Sequence, residues 1–372
     1  MKKIKVLQMP VANTYGGITN YVRQNLKFID KERFQFDFVT FSEKLDFEEE
    51  INSYGGKVHY LKIRPEIDRE KFIYDMNKIF DEGYDVVHLH TSYWKDFLVE
   101  EIAIERNVPK IIVHSHSTMV DISDEKKREE AINVHNNQKK LFDYDLATDF
   151  IACSTEAADW LFGDNIHKKD IKIFNNAIDT EKFSYNEEIR AKYRKKLNIE
   201  DDFVLGHVGR FTYLKNHSFL IDVFYEVSKV IDNAKLVLVG DGPLKENVHK
   251  KVEEYGISDK VLFLERREDV NNIMQAMDVF LFPSRFEGLG LVLIEAQCSG
   301  LKCISSKFVP KESQLTTLIK YLKYDLELWV KNIVSLSAGY KRIDKNNEIT
   351  QKGYSLKKQI KLIENMYSEF RN

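Results

Sequence analysis

The sequence predicts an α/β protein with two domains, each built on a parallel β-sheet. Short apolar runs alternate with segments of helical length, and this alternation stops and then restarts. The length of 372 residues agrees, because a chain of this size usually divides into about two domains. Hydrophobic residues make up 43% and charged residues 31% of the chain, a balance typical of globular proteins.

The first half contains six runs of strand length, and the second half contains five. The predicted strands are Ile4–Gln8, Phe36–Phe41, Val58–Leu61, Asp85–His90, Lys110–His114 and Asp149–Cys153, then Phe203–Val208, Lys235–Val239, Val261–Leu264, Val279–Phe282 and Cys303–Ser305. The stretch 175–196 between the two sets is polar, so we place the domain boundary at residues 180/181. The spacing of apolar residues at the C-terminus predicts an amphipathic helix over residues 356–370.

The charge balance argues against a nucleic-acid partner. The chain has 56 Lys and Arg against 59 Asp and Glu, for a net charge of −3, whereas nucleic-acid binding normally leaves a basic excess. A local basic cluster is nevertheless present at residues 126–128 and 139–140, on a predicted helix. A solvated helix face is the favoured explanation of this cluster, and peripheral contact with an anionic membrane is the alternative.

The sequence also predicts where the protein resides. The N-terminal apolar run is too short for a signal-peptide core, and charges interrupt every longer apolar run. The three cysteines form no C-x-x-C pair, so neither a disulfide framework nor a zinc ribbon is indicated. We therefore expect a cytoplasmic protein, with peripheral attachment to the inner face of the membrane left open.

Two glycines, Gly16 and Gly17, follow the first strand and precede a predicted helix at residues 18–28. Glycines allow the backbone to approach a ligand closely, and a helix N-terminus presents N–H groups to an anion. An ordinary strand-to-helix turn explains the same pair, so the signal is weak by itself.

Two cations open the second domain. Arg210 follows a predicted strand, and Lys215 precedes a predicted helix. A guanidinium fork and an ammonium group at the carboxyl end of a parallel strand suit a diphosphate, and together they can take the place of a divalent metal. The alternative is two solvated surface cations.

The most informative stretch is residues 282–296, which combines a strand end, a glycine-bearing loop and a helix. Carboxylates such as Glu287 and Glu295 accept hydrogen bonds from sugar and ribose hydroxyls, and the loop amides favour phosphate. We expect Glu287 at the mouth of the site and Glu295 deeper, because apolar residues surround Glu295 in the sequence. A carboxylate in apolar surroundings usually has a partner.

Two His-x-His pairs end predicted strands, at His88 and His90 and at His114 and His116. Alternation along a strand places the imidazoles of each pair on one face, which suggests a metal-hydrolase site. However, no Asp or Glu has convincing ligand spacing around them, so we predict no metal. We favour His116 as a polar group that faces a cleft.

Taken together, these motifs resemble those of the retaining glycosyltransferases of family 4 (GT4), which have the GT-B fold. The resemblance covers about residues 4–305 and rests chiefly on the Glu-x7-Glu motif formed by Glu287 and Glu295 after Pro-Ser-x-x. Further matches are Gly16-Gly17, His114-Ser115-His116, Ala152-Cys153-Ser154, Asn175 to Asp179, Gly209-Arg210, Lys215-Asn216-His217 and Val239 to Pro243. The segment from Ala147 to Ser154, with Trp160 to Gly163, is similar to bacterial enzymes of capsule and exopolysaccharide assembly.

The resemblance implies two Rossmann-like domains whose parallel sheets face a central cleft. Residues 1–180 would bind the acceptor, residues 181–352 would bind the nucleotide-sugar donor, and residues 353–372 would form a helix that crosses back to the first domain. It also implies anomer-retaining transfer without a metal or other cofactor. The donor would be a nucleotide-sugar, with UDP preferred, and the acceptor a glycan or a lipid-linked sugar.

The resemblance also implies the roles of single residues. Arg210 and Lys215 would bind the diphosphate, and Glu295 the ribose hydroxyls. His116 would contact the donor sugar near the reacting carbon. Glu287 would bind the donor sugar and phosphate, together with the backbone of Gly288, Leu289 and Gly290, and Gly16 and Gly17 would complete the donor site.

Other functions are compatible with a two-domain α/β architecture. A nucleotide-sugar epimerase or a sugar phosphorylase is one alternative, and a phosphorylase would normally carry a lysine-bound pyridoxal phosphate. A second alternative is a non-catalytic nucleotide-sugar-binding partner in a polysaccharide assembly complex. Donor turnover separates this partner from an enzyme.

Overall fold

The computed structural model describes residues 2–13 and 17–369, and within them it contains thirteen β-strands and fourteen α-helices. In chain order they are β1 (Ile4–Val11), α1 (Gly17–Phe28), β2 (Phe34–Thr40), α2 (Glu48–Ser53), β3 (Val58–Tyr60), α3 (Arg69–Phe80), β4 (Val86–Thr91), α4 (Leu98–Glu105), β5 (Lys110–Ser115), α5 (Glu125–Lys139), β6 (Asp149–Ala152), α6 (Thr155–Leu161), β7 (Ile171–Ile173), α7 (Glu187–Leu197), β8 (Phe203–Val208), α8 (His217–Val230), β9 (Ala234–Val239), α9 (Lys245–Glu254), β10 (Val261–Leu264), α10 (Val270–Ala276), β11 (Val279–Phe282), α11 (Leu291–Cys298), β12 (Lys302–Ser306), β13 (Ile319–Leu322), α12 (Leu326–Val334), α13 (Asn346–Gln351) and α14 (Leu356–Ser368).

The strands form two parallel sheets. The described strands of the first sheet have the order β3-β2-β1-β4-β5-β6-β7, and those of the second have the order β10-β9-β8-β11-β12-β13. The strand order reverses between β1 and β4 in the first sheet and between β8 and β11 in the second. In open parallel sheets, ligands bind at the carboxyl ends of the strands beside such a reversal.

The chain divides into two compact units. Unit 1 holds the described residues of 1–120, 124–176 and 356–372, and unit 2 holds residues 121–123 and 177–355. Residues of α14 belong to the core of unit 1, where Ile363, Met366 and Tyr367 are fully buried against the β1–β2 region. Apolar residues at helical spacing put these three side chains on one face of α14, as the sequence predicts.

Several elements escape the sequence-based prediction, among them two strands and helix α7. Strands β7 and β13 have only three and four residues, and an exposed lysine, Lys172 or Lys320, interrupts the apolar run of each. Helix α7 (Glu187–Leu197) lies almost entirely inside the stretch 175–196, which we predicted to be a polar separator. It is mostly solvated, begins at the cap Asn186, and is tied to unit 2 by Arg190 and Arg194, which pair with Asp278 at 2.5 and 3.2 Å.

Candidate functional site

The loop after β8 is shaped by a close approach to the loop after β9. A Cβ atom on Gly240 would lie 2.2 Å from the carbonyl oxygen of Gly209, and Gly240 has a φ of +142°. The amides of Gly209 and Phe211 donate to the carbonyls of Val239 and Asp241, both at 3.0 Å. Only glycine fits at position 240, and the contact fixes the backbone on both sides of the exposed Arg210.

Lys215 forms an ion pair inside unit 2. Its Nζ lies 2.6 Å from Oε1 of Glu287 and 4.8 Å from the centre of the Phe282 ring. The side chains expose only 15% and 10% of their surface. Asn216, the next residue, has a φ of +53° and precedes the first residue of α8. The structure therefore brings together two of the predicted site residues, one from the loop after β8 and one from the loop after β11.

The loop 287–290 leads directly into α11. Gly290 has a φ of +85°, and a Cβ atom there would lie 3.2 Å from the Phe282 ring. Gly288 and Leu289 are buried beside it. Because α11 begins at Leu291, Glu287 lies in the loop before the helix.

The relative depth of the two glutamates differs from our prediction. Glu287 exposes 8% of its surface, whereas Glu295, on α11, is half-buried as a residue. The contact with Lys215 turns Glu287 inward, which the apolar neighbours of Glu295 in the sequence did not reveal. Burial of the Glu295 carboxyl nevertheless raises its pKa to about 7, and the positive charge of Lys182 opposes this shift.

The predicted glycine pair is only partly described. Gly16 lies outside the described residues. Gly17 is the first residue of α1, and a Cβ atom there would meet nothing within 4 Å. Packing therefore does not require glycine at position 17, and a role for Gly17 in donor binding stays a prediction.

Four histidines of unit 1 form one cluster: His88 and His90 lie on β4, His114 lies on β5, and His116 directly follows β5. The register places His90 opposite His114. His88 Nε2 lies 3.1 Å from His114 Nδ1, and His90 Nδ1 lies 3.0 Å from His116 Nε2. Burial lowers the pKa of His88 and of His116 to about 3, and lowers those of His90 and His114 well below the ordinary value. All four imidazoles are therefore neutral at pH 7.

Three of these imidazoles, those of His88, His90 and His114, have nitrogen atoms within 4.8 Å of one another, near enough for a metal ion. Both ring nitrogens of His88 and of His90 take part in hydrogen bonds with neighbouring side chains: His88 with Tyr367 and His114, and His90 with Gln8 and His116. His114 bonds through Nδ1, and its buried Nε2 has no hydrogen-bond partner among the described residues. Hydrogen bonds thus account for most of the cluster, and freedom from metal stays a prediction.

The sequence did not point to Gln8 or Tyr367. Both are buried and join the histidine cluster from β1 and α14, and Gln8 Nε2 donates to the Tyr367 hydroxyl at 3.0 Å. The two residues lie 359 positions apart. A glutamine among the apolar residues Val6, Leu7 and Met9 of the first strand was the available signal, because such a side chain needs a polar partner when it is buried.

Both halves of the chain match known families. Residues 15–182 match Glycosyltransferase Family 4, and residues 189–317 match Glycosyl transferases group 1. With two parallel-sheet α/β units, these matches define a glycosyltransferase with the GT-B fold. Within that class, the first half of the chain matches the GT4 family itself. The hypotheses of an epimerase, a phosphorylase and a metal hydrolase are not supported by these matches.

Individual proteins are similar over nearly the whole chain. The putative glycosyltransferase EpsF of Bacillus subtilis is 29% identical, covering 98% of this chain and 96% of its own length. The capsular polysaccharide biosynthesis glycosyltransferase CapH of Staphylococcus aureus is 26% identical, covering 92% and 94%. The crystal structure of Anabaena Alr3699/HepE in complex with UDP-glucose has a TM-score of 0.71 at 18% identity, covering 98% and 95%.

Among the residues that the structure describes, none of the helices has both the length and the apolar character needed to cross a bilayer.

Proposed function

We propose that this chain transfers a sugar from a UDP-sugar, with retention of anomeric configuration and without a metal ion, to a glycan or lipid-linked acceptor in bacterial surface polysaccharide biosynthesis. The observation that carries the proposal is the position of Lys215, held by Glu287 beside the 287–290 loop. The similarity to CapH supports the biosynthetic role, and the resemblance to GT4 supports retention and the lipid-linked acceptor.

The proposed donor site uses cations where other enzymes use a metal. Lys215 has three ammonium hydrogens, so it can contact a phosphate while it keeps Glu287. Arg210 is exposed at the end of β8 and can present a planar fork to the same diphosphate. Glu295 would accept hydrogen bonds from the ribose hydroxyls. Fixed positive charge at the departing diphosphate is the largest contribution that such a site makes to transfer.

The proposed reaction needs no nucleophile from the enzyme. The acceptor hydroxyl attacks the anomeric carbon on the face from which the diphosphate departs. A carbon–oxygen bond to the acceptor forms while the bond from the anomeric carbon to the phosphate oxygen breaks. The electron pair leaves with UDP, and the hydroxyl proton passes to a phosphate oxygen. His116, which is neutral, would contact the donor sugar near this carbon.

The first test is calorimetric titration with UDP, GDP, ADP and several UDP-sugars, with and without a chelator. We expect selective binding of a uridine nucleotide that the chelator leaves unchanged. Transfer is then measured with the bound donor, and the anomeric configuration of the product is read by NMR. Loss of binding with chelator would refute metal independence, and an inverted product would refute retention.

Two substitutions test the residue roles. Glu295→Ala should weaken nucleotide-sugar binding, whereas Glu287→Ala should chiefly reduce transfer. Glu254→Ala, at an exposed position of α9, is the matched control and should change neither. Unchanged binding and transfer in both site variants would refute the assignment. Binding without transfer of any donor by the unsubstituted protein would favour the non-catalytic partner instead.

The location also stays a proposal. We propose a cytoplasmic protein whose exposed Lys126 and Lys127, on α5, contact anionic lipid at the inner face of the membrane. Co-sedimentation with vesicles that contain anionic lipid, but not with neutral vesicles, is expected. Equal recovery in the supernatant with both vesicle types would refute membrane contact through these residues.

A further inference from the structure

The histidine cluster of unit 1 contains two hydrogen-bonded chains that meet at one carboxamide. Gln8 Oε1 lies 2.8 Å from His90 Nε2, and His90 Nδ1 lies 3.0 Å from His116 Nε2. On the other side, Gln8 Nε2 donates to the Tyr367 hydroxyl at 3.0 Å, and that hydroxyl lies 2.7 Å from His88 Nδ1. One amide therefore joins both chains.

The protons of the first chain follow from the oxygen of Gln8. A carbonyl oxygen only accepts, so His90 must donate its Nε2–H to Gln8. A neutral imidazole has a single N–H, which leaves His90 Nδ1 as an acceptor for Nε2–H of His116. The one remaining ring nitrogen of His116, Nδ1, then carries a lone pair.

The second chain has the same polarity. Since the Tyr367 hydroxyl accepts from Gln8, its own hydrogen is available to His88 Nδ1. His88 Nε2–H then donates to His114 Nδ1 at 3.1 Å. The chain ends at His114 Nε2, a buried atom for which no hydrogen-bond partner is found among the described residues. The Tyr21 ring packs perpendicular to the His114 ring, with their centres 5.1 Å apart.

Ring contacts fix the orientation of the His116 imidazole, in addition to the hydrogen bonds that fix its tautomer. Its centre lies 3.9 Å from that of His114 and 5.4 Å from that of Tyr21. Gln8 is 2% exposed, and His90 is equally buried. Water therefore does not compete for the hydrogen bonds that fix the tautomer.

We propose that Gln8 and His90 are positioning residues that hold His116 as a single tautomer, with Nδ1 as an acceptor for a hydroxyl of the donor sugar. This inference rests on the proposed function. A lone pair at this position also suits the reaction, because positive charge develops at the anomeric carbon as the diphosphate leaves. An N–H dipole directed at the same carbon would oppose that charge.

The tautomer is measured directly by NMR of the full chain labelled with ¹⁵N-histidine. The His116 signals are assigned by their loss in His116→Asn. We expect the ¹⁵N shifts of a neutral ring protonated at Nε2. A ring protonated at Nδ1, which a Gln8 amide turned by half a rotation would produce, overturns the proposal.

Variants then test whether the tautomer matters for transfer. Gln8→Met removes the acceptor at similar volume, and we expect a mixture of His116 tautomers and a fall of about threefold to tenfold in kcat, the size that one neutral hydrogen bond supports. Affinity for UDP should not change. Gln8→Glu restores an acceptor and should recover the Nε2–H tautomer and most of the kcat.

The matched control is Gln359→Met, which removes another buried carboxamide of unit 1, bonded to Asn25 at 2.7 Å. It should preserve both the His116 tautomer and kcat. An equal fall of kcat in Gln8→Met and Gln359→Met, or an unchanged tautomer in Gln8→Met, would overturn the positioning role. Absence of transfer in the unsubstituted protein would instead count against the proposed function, and the NMR result would still decide the tautomer.

Discussion

The ion pair of Lys215 and Glu287 makes the most direct energetic prediction. Removal of one partner from a buried pair costs about 3–5 kcal/mol, because the other charge stays out of water. The Lys215 and Glu287 side chains expose 15% and 10% of their surface to solvent. We therefore expect a smaller loss of about 2–3 kcal/mol in the free energy of unfolding for Lys215→Met or Glu287→Gln. Methionine is similar to lysine in length but removes the contact of the Lys215 ammonium with the Phe282 ring.

The double variant separates the pair from its surroundings. The double variant Lys215→Met with Glu287→Gln leaves no unbalanced charge. Its loss in the free energy of unfolding should therefore be no larger than that of either single variant. The coupling energy of the cycle is then about 2 kcal/mol, within the range expected for contacting residues. Native-state hydrogen exchange of the β8 amides is a suitable assay, since it reports the stability of unit 2 rather than that of the whole chain.

Additivity would refute this reasoning. If the two single losses sum in the double variant, the ion pair contributes nothing to folding, and other contacts hold Glu287 in place. The Glu254→Ala control should stay within about 0.5 kcal/mol of the unsubstituted protein, as is usual for surface substitutions.

Two further predictions concern unit 2. The pKa of Glu295 is raised to about 7, so its carboxyl is protonated below that pH and ionised above it. UDP affinity should therefore rise between pH 6 and 8, because the carboxylate becomes able to accept hydrogen bonds from both ribose hydroxyls. Calorimetry should find a weaker rise in Glu295→Gln, and parallel pH curves would contradict the ribose contact. Gly240→Ala should lower the melting temperature far more than Gly256→Ala, because of these two positions only 240 places the new Cβ within 4 Å of backbone atoms. Equal shifts would show that the positive φ alone sets the loss of stability.

The order of elements was accessible from sequence because most strands are largely apolar runs. Buried parallel strands are apolar on both faces, and the eleven predicted runs correspond to eleven observed strands. Strands β7 and β13 were missed because a lysine, Lys172 or Lys320, interrupts each of these short runs at the edge of its sheet. Helix α7 was missed for a different reason: its surface is charged, and it is stabilised by ion pairs with Asp278 that only the folded chain forms.

The candidate site was only partly accessible. Residue types and spacing singled out Lys215, Glu287 and Glu295. Cations, carboxylates and glycines at strand ends can bind a phosphate and a sugar, and this does not depend on the rest of the fold. The inward turn of Glu287 was not accessible, since it depends on the approach of Lys215 from a different loop.

The sequence by itself determined the fold class, the family and the types of group available at the site, because apolar period and motif spacing are local properties of the chain. Tertiary structure alone decided how those groups are paired and protonated. The tautomer inferred for His116 depends on Gln8 and His90, which lie on neighbouring strands β1 and β4. The same Gln8 amide donates to Tyr367, 359 positions away, because α14 packs in the same unit as β1. Hydrogen bonds act over about 3 Å of space, and distance along the chain does not encode that proximity.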